Sequence, residues 1–128
     1  MGLKFILGIS IMLFIILALS ITAYLFIKNM TENIEEKLYL LNNDINNKKW
    51  LNASEIFKDI TKKWEKAETI FPVLIDHDEL HNLEISLAKI SVFIKNKNKK
   101  ELLVEINVAL KLISSISEQE KLSLKNIF

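Results

Sequence analysis

The chain of 128 residues contains no cysteine. This absence excludes disulfide bonds, thiolate metal sites and cysteine nucleophiles. It also excludes a lipoprotein, because lipid attachment to a processed N-terminus requires a cysteine. The 101 residues after residue 27 are enough for one hydrophobic core that is stable without disulfides.

Arginine is also absent, and charge is balanced over most of the chain. All 17 basic residues are lysines, and only Lys4 lies before residue 28, which leaves 16 lysines to face 16 aspartates and glutamates. A neutral domain without arginine lacks the basic surface that is typical of nucleic-acid-binding proteins. We therefore expect no nucleic-acid partner.

Glycine and proline are almost missing after residue 27, where Pro72 is the one proline and no glycine occurs. Sheets depend on turns, and turns depend on these two residue types. The composition therefore predicts an all-α fold.

The segment Phe5–Ile27 contains no charge and no proline. A helix of this length is about 35 Å long, which is enough to cross a hydrocarbon core of roughly 30 Å with some tilt. A cleaved signal peptide is the alternative, but its apolar core would be shorter, and Ala18–Ser20 is followed by further apolar sequence. We therefore predict a transmembrane signal-anchor over residues 1–27 and a domain over residues 28–128.

Flanking charge predicts the orientation of this anchor. Basic residues resist translocation, whereas acidic residues count for little. Lys4 and the α-amine lie on the N-terminal side, and Lys28 lies on the other side. We expect a cytoplasmic N-terminus and an extracytoplasmic domain in the cell membrane.

Apolar residues beyond the anchor recur every three or four positions, which is typical of amphipathic helices. Four such rows are present: Met30, Ile34, Leu38, Leu41, Ile45; Trp50, Ala53, Phe57, Ile60, Trp64, Ala67, Phe71; Leu80, Leu83, Leu87, Ile90, Ile94; and Leu102, Ile106, Ala109, Ile113, Ile116. The flanking residues Leu51, Ile56, Ile85, Val92 and Val108 would widen these rows into the stripes of a globular bundle.

Polar breaks separate the rows at residues 46–49 and 95–100, and Pro72 separates the second row from the third. Asp76, followed by Glu79, resembles a capping box for the third helix. Short connections place consecutive helices antiparallel. The predicted fold is all-α: an N-terminal transmembrane helix followed by an antiparallel three- to four-helix bundle.

His77 and His81 are the only histidines, and their spacing places them on one helical face, with Glu84 close to the same face. These three residues are candidate metal ligands. A zinc protease helix needs a glutamate directly after the first histidine, and Asp78 occupies that position. We therefore expect no enzymatic activity, no catalytic residues and no cofactor, and a zinc enzyme based on this pair is the least favoured hypothesis.

Two regions are candidate interaction surfaces. Trp50 and Trp64 have core spacing, but Trp50 lies near a helix start and could belong to an interface. The sequence also ends in apolar residues, whereas chain ends are usually polar. Leu124, Asn126, Ile127 and Phe128 either fold back under the bundle or contact a partner or the membrane surface.

The chain combines four features: the anchor, Trp50 with Trp64, His77 with Glu79, and the ending Glu118-x-Glu120-x-Leu122-Ser123-Leu124-x-Asn126-Ile127-Phe128. Together these features resemble an uncharacterised family of small single-pass membrane-anchored proteins from low-GC Gram-positive anaerobes. The resemblance implies a domain of unknown function and carries over no catalytic residues.

Two functions fit these observations. The chain is predicted to be a membrane-anchored extracytoplasmic interaction or accessory protein with a protein partner in the membrane or envelope. The alternative is an extracytoplasmic sensor or ligand-binding bundle that acts through a partner.

Overall fold

In a computed structural model, residues 2–127 form five helices in the order α1 (Gly2–Asn46), α2 (Trp50–Glu68), α3 (Phe71–Leu74), α4 (His77–Lys95) and α5 (Lys99–Ile127). The structure describes residues 2–127, with the side chains of residues 2–119. These described residues contain no strand. The all-α prediction is confirmed.

The first helix is continuous over 45 residues and has two different halves. Up to Leu25 its large apolar side chains point outward, and the most apolar window is long enough to cross a membrane and has none of its residues buried. From Ile27 onward, one stripe of the same helix is buried in the bundle. The bundle core thus begins at the last residue of the predicted anchor.

The four long helices form an antiparallel bundle in which α1 packs against α2 and α5, and α4 packs against α5. Cross-helix bonds fix the register, since Asp44, Lys37 and Asn33 on α1 pair with Asn52, Asp59 and Lys63 on α2. We call the end of the bundle beside the apolar half of α1 the near end. The opposite end, which holds the α1–α2 and α4–α5 turns, is the far end.

The core consists mainly of the four predicted rows, and Ile27 and Ile75 add to it. Every member of the α5 row is fully or almost fully buried, as are most members of the other rows, while Met30, Trp50, Phe57 and Ile94 are partly buried against the core. The helical periodicity of the sequence therefore identified the core correctly.

Both far-end turns reverse the chain without glycine. Lys48 and Lys97 adopt positive φ angles of 59° and 51°. In each turn the next N–H bonds a carbonyl five residues back, Lys49 to Asp44 at 2.8 Å and Asn98 to Phe93 at 3.0 Å, as in a Schellman motif. Lysine takes the place that glycine usually occupies, at some conformational cost.

Pro72 determines the near-end connection. It lies in the first turn of α3, where the absence of its N–H removes no helical bond. The helix ends after one turn at Leu74, and the next residue, Ile75, has an extended backbone. This short helix carries the chain from α2 to α4 and buries Phe71 beneath the bundle.

Candidate functional site

The two histidines lie on the exposed face of α4 at the near end. His77 is the first residue of the helix, and the Nδ1 atom of His81 lies 4.0 Å from a carboxylate oxygen of Glu84. Both members of that pair are substantially exposed. Among the described residues, no three histidine or carboxylate side chains are grouped closely enough to share a metal ion.

The predicted capping box forms only in part. Asp76 is the N-cap of α4, and its carboxylate accepts a hydrogen bond from the Asp78 N–H at 3.3 Å. Glu79 does not complete the box, because its carboxylate accepts a hydrogen bond from the Ser115 hydroxyl on α5 at 3.3 Å. The acid that was predicted to cap a helix instead links α4 to α5.

Trp64 belongs to an aromatic cluster that closes the near end of the bundle. Its ring meets Phe71 edge to face at a centroid distance of 5.9 Å, and Phe71 meets Phe26 in the same way at 5.8 Å. Trp64 and Phe71 are buried. The cluster joins α1, α2 and α3 directly above the apolar half of α1.

Trp50, the second tryptophan, is the first residue of α2 and lies at the far end. It is partly buried against the core and lines a shallow surface depression with Lys48 and Leu51. Leu51 is 88% exposed. Trp50 therefore combines a packing role with an accessible edge, and its predicted interaction role stays a prediction.

Three of the remaining candidate interaction residues, Leu124, Asn126 and Ile127, belong to α5, which runs back toward the near end. The helical backbone is described through Ile127. The side chains of Leu124, Asn126 and Ile127, and the whole of Phe128, lie outside the described residues.

Ionic and polar bonds join α1 to α2 along the outside of the bundle. Lys37 pairs with Asp59, and Lys63 donates to the side-chain oxygen of Asn33. The hydrogen bond between Lys37 and Asp59 lowers the pKa of Asp59 and raises the pKa of Lys37. Both groups are therefore charged at neutral pH.

A groove of about 690 Å³ lies below these bonds, between α1 and α2 at the near end. Phe26 and Met30 of α1 form its apolar side. Lys62, Lys63 and Lys66 line its α2 side. Sequence reasoning did not identify this groove, although the spacing Lys62-Lys63-x-x-Lys66 could have indicated a basic edge on one helical face.

Two carboxylates face each other between α2 and α4 at the near end. Partial desolvation raises the pKa of Glu68, and the negative charge of Glu84 raises it further. The two helices make little contact with each other compared with their other neighbours. The burial of Glu68 and the proximity of Glu84 therefore both oppose ionisation of the Glu68 carboxyl group.

A patch of apolar side chains lies on the outside of α4 and α5 toward the far end, with charged side chains among them. Ile85, Val92, Val104 and Val108 are each more than 40% exposed. Phe93 lines two adjoining depressions, one with Ile85 and Val92 and one with Val104. We call these five residues the α4–α5 apolar surface.

The expectation that the flanking residues would widen the core was wrong for four of the five. Ile56 packs against the core, but Leu51, Ile85, Val92 and Val108 are exposed. A helix at the corner of a four-helix bundle turns only one side toward its neighbours, so residues about half a turn away from the central row face outward.

A comparison with protein-family models places most of the chain in a family whose function is unknown. A family model described as a domain of unknown function, DUF4363, matches residues 21–127. Neither a curated protein nor a solved structure matches the chain. The matched range covers the whole bundle and the last residues of the apolar segment, so the chain belongs to the DUF4363 family.

Proposed function

We propose that this chain is a membrane-anchored, extracytoplasmic accessory protein that docks a protein partner and has no catalytic activity of its own. The apolar half of α1 supports the anchor. Its outward side chains are uncovered over a length that can cross a bilayer, and lipid is the environment that would cover them. The flanking charges favour a cytoplasmic N-terminus.

The α4–α5 apolar surface is the observation that carries the docking role. Contiguous exposed apolar surface on a soluble domain is unusual and often marks an interaction site. Val92 lies about 22 Å of helical rise beyond His77, toward the far end. The bilayer that holds α1 therefore cannot cover this surface, and a protein partner with an apolar helix or strand can.

Site-specific photocrosslinking in native membranes tests this proposal. A photoreactive residue replacing Val92 should give one discrete product larger than the monomer, whereas one replacing Lys58, an exposed residue on α2, should not. Ile85→Asp should remove the Val92 product, because a charge would have to be buried in the interface. The membrane pellet after alkaline extraction should contain the full chain.

Equal products from both positions, or only monomer, would contradict a specific docking surface. A product of twice the monomer mass would assign the surface to self-association and contradict a separate partner. Release of the chain by alkaline extraction would contradict the anchor.

A further inference from the structure

The groove between α1 and α2 has two unlike sides. Phe26 and Met30 are apolar and partly buried against the core, whereas Lys62, Lys63 and Lys66 present ammonium groups along one face of α2. Its volume of about 690 Å³ lies within the range of small-molecule sites. A ligand for this groove should therefore be amphipathic and carry negative charge.

The positive charge of the groove is only partly neutralised by the protein. Two carboxylates, Asp59 and Glu65, also line it, but Asp59 is paired with Lys37. Lys63 donates one hydrogen bond to Asn33, and an ammonium group has two further donors. Among the described side chains, Lys62 and Lys66 form no ion pair.

The position of the groove identifies the source of such a ligand. The run of outward apolar side chains on α1 ends at Leu25, and Met30 is only about 8 Å of helical rise farther along. The groove would thus open at the surface of the bilayer, where lysines with their stems on apolar surface are favourable.

We propose that this groove binds an anionic phospholipid, whose phosphate contacts Lys62, Lys63 and Lys66 and whose acyl chain lies along Phe26 and the outward apolar face of α1. A free phosphate would use the lysines but leave the apolar side empty. The proposal rests on the membrane anchor of the proposed function, because only an anchored chain holds the groove at this depth.

The full chain is purified from vesicles of phosphatidylcholine with added phosphatidylglycerol, and bound lipid is counted by native mass spectrometry. The wild type should retain phosphatidylglycerol in preference to phosphatidylcholine. The triple variant Lys62→Gln, Lys63→Gln, Lys66→Gln should lose this preference. Each substitution should lower the ratio of bound phosphatidylglycerol to bound phosphatidylcholine by about five-fold, and the three together on the order of a hundred-fold.

Two matched variants separate this site from general charge and from misfolding. The far-end triple variant Lys95→Gln, Lys97→Gln, Lys99→Gln removes the same charge and should keep the preference. The triple variant Lys62→Arg, Lys63→Arg, Lys66→Arg, which keeps the positive charge, should also keep the preference. Circular dichroism should show equal helix content in all variants.

Equal loss of the preference in both glutamine variants would overturn the proposal, as would equal retention. Displacement of the lipid by inorganic phosphate alone would assign the lysines to a free anion and overturn the lipid site. If the chain stays in the membrane on alkaline extraction but shows no lipid preference, only the lipid site in the groove is refuted. If alkaline extraction releases the chain, the membrane anchor itself is refuted.

Discussion

Phe71, the largest fully buried side chain among the described residues, is predicted to be a major source of stability at the near end of the bundle. Its side chain is 0% exposed and contacts Phe26 on α1 and Trp64 on α2. Replacing a buried phenylalanine by alanine removes its transfer free energy and leaves a cavity, at a cost of about 3–5 kcal/mol. The free energy of unfolding should therefore fall by that amount in Phe71→Ala.

The Phe26–Phe71 contact can be isolated with a double-mutant cycle. Edge-to-face aromatic pairs contribute about 0.5–1.5 kcal/mol beyond the area that they bury. The cost of the double variant Phe26→Leu, Phe71→Leu should therefore be smaller than the sum of the two single costs by about that amount.

Denaturant unfolding of the full chain in detergent micelles measures these free energies. A Trp50→Phe background leaves Trp64 as the only tryptophan, and its fluorescence reports on the cluster. Val73→Ala is the matched control, because Val73 lies on the same short helix but is 85% exposed, and its cost should stay within about 0.5 kcal/mol. A Phe71→Ala cost close to that of the control, or no coupling in the cycle, would refute the reasoning.

Three further predictions concern polar groups. The pairing with Lys37 lowers the pKa of Asp59, so it stabilises the folded state above about pH 4, and this stabilisation is lost as the pH falls through the lowered pKa. In acid unfolding curves, Asp59→Asn should remove this part of the pH dependence. The pKa of Glu68 is raised in the folded state, so the free energy of unfolding falls as the pH rises from about 4.5 through the raised pKa. Glu68→Gln should abolish this fall when urea unfolding is measured across that pH range. The Asn52 side-chain amide donates a hydrogen bond to the buried Asp44 carboxylate at 2.8 Å. Asn52→Ala should therefore lower the free energy of unfolding, measured by thermal unfolding, by about 1–3 kcal/mol. An unchanged free energy would show that water replaces the bond.

The core could be predicted from sequence because helical periodicity marks the centre of each buried stripe. Ile34, Leu38, Ile106 and Ile113 occupy such positions, and all four are fully buried. Pro72 likewise marked the break between the second and third rows because its missing N–H and its ring are incompatible with a helix interior.

The surfaces could not be predicted in the same way. Helical periodicity gives the centre of a buried stripe but not its width, because the width depends on how many neighbours a helix has. Val92 and Val108 were therefore assigned to the core side, although both are exposed. The groove combines Met30 on one helix with Lys66 on another, and a single row contains no information about that pairing. Glu79 bonds Ser115 across the bundle for the same tertiary reason.

Cysteine accessibility along α1 tests the central claim, that one helix is both membrane anchor and bundle member, and the native chain offers no competing thiol. In intact cells, a membrane-impermeant maleimide should label Tyr39→Cys, because the native side chain at that position is exposed. It should label neither Leu13→Cys, which the proposed anchor places in lipid, nor Ile34→Cys, which lies in the core. Denaturant after membrane solubilisation should make all three reactive. Labelling of Leu13→Cys in intact cells, or equal labelling rates for Ile34→Cys and Tyr39→Cys, would contradict the account.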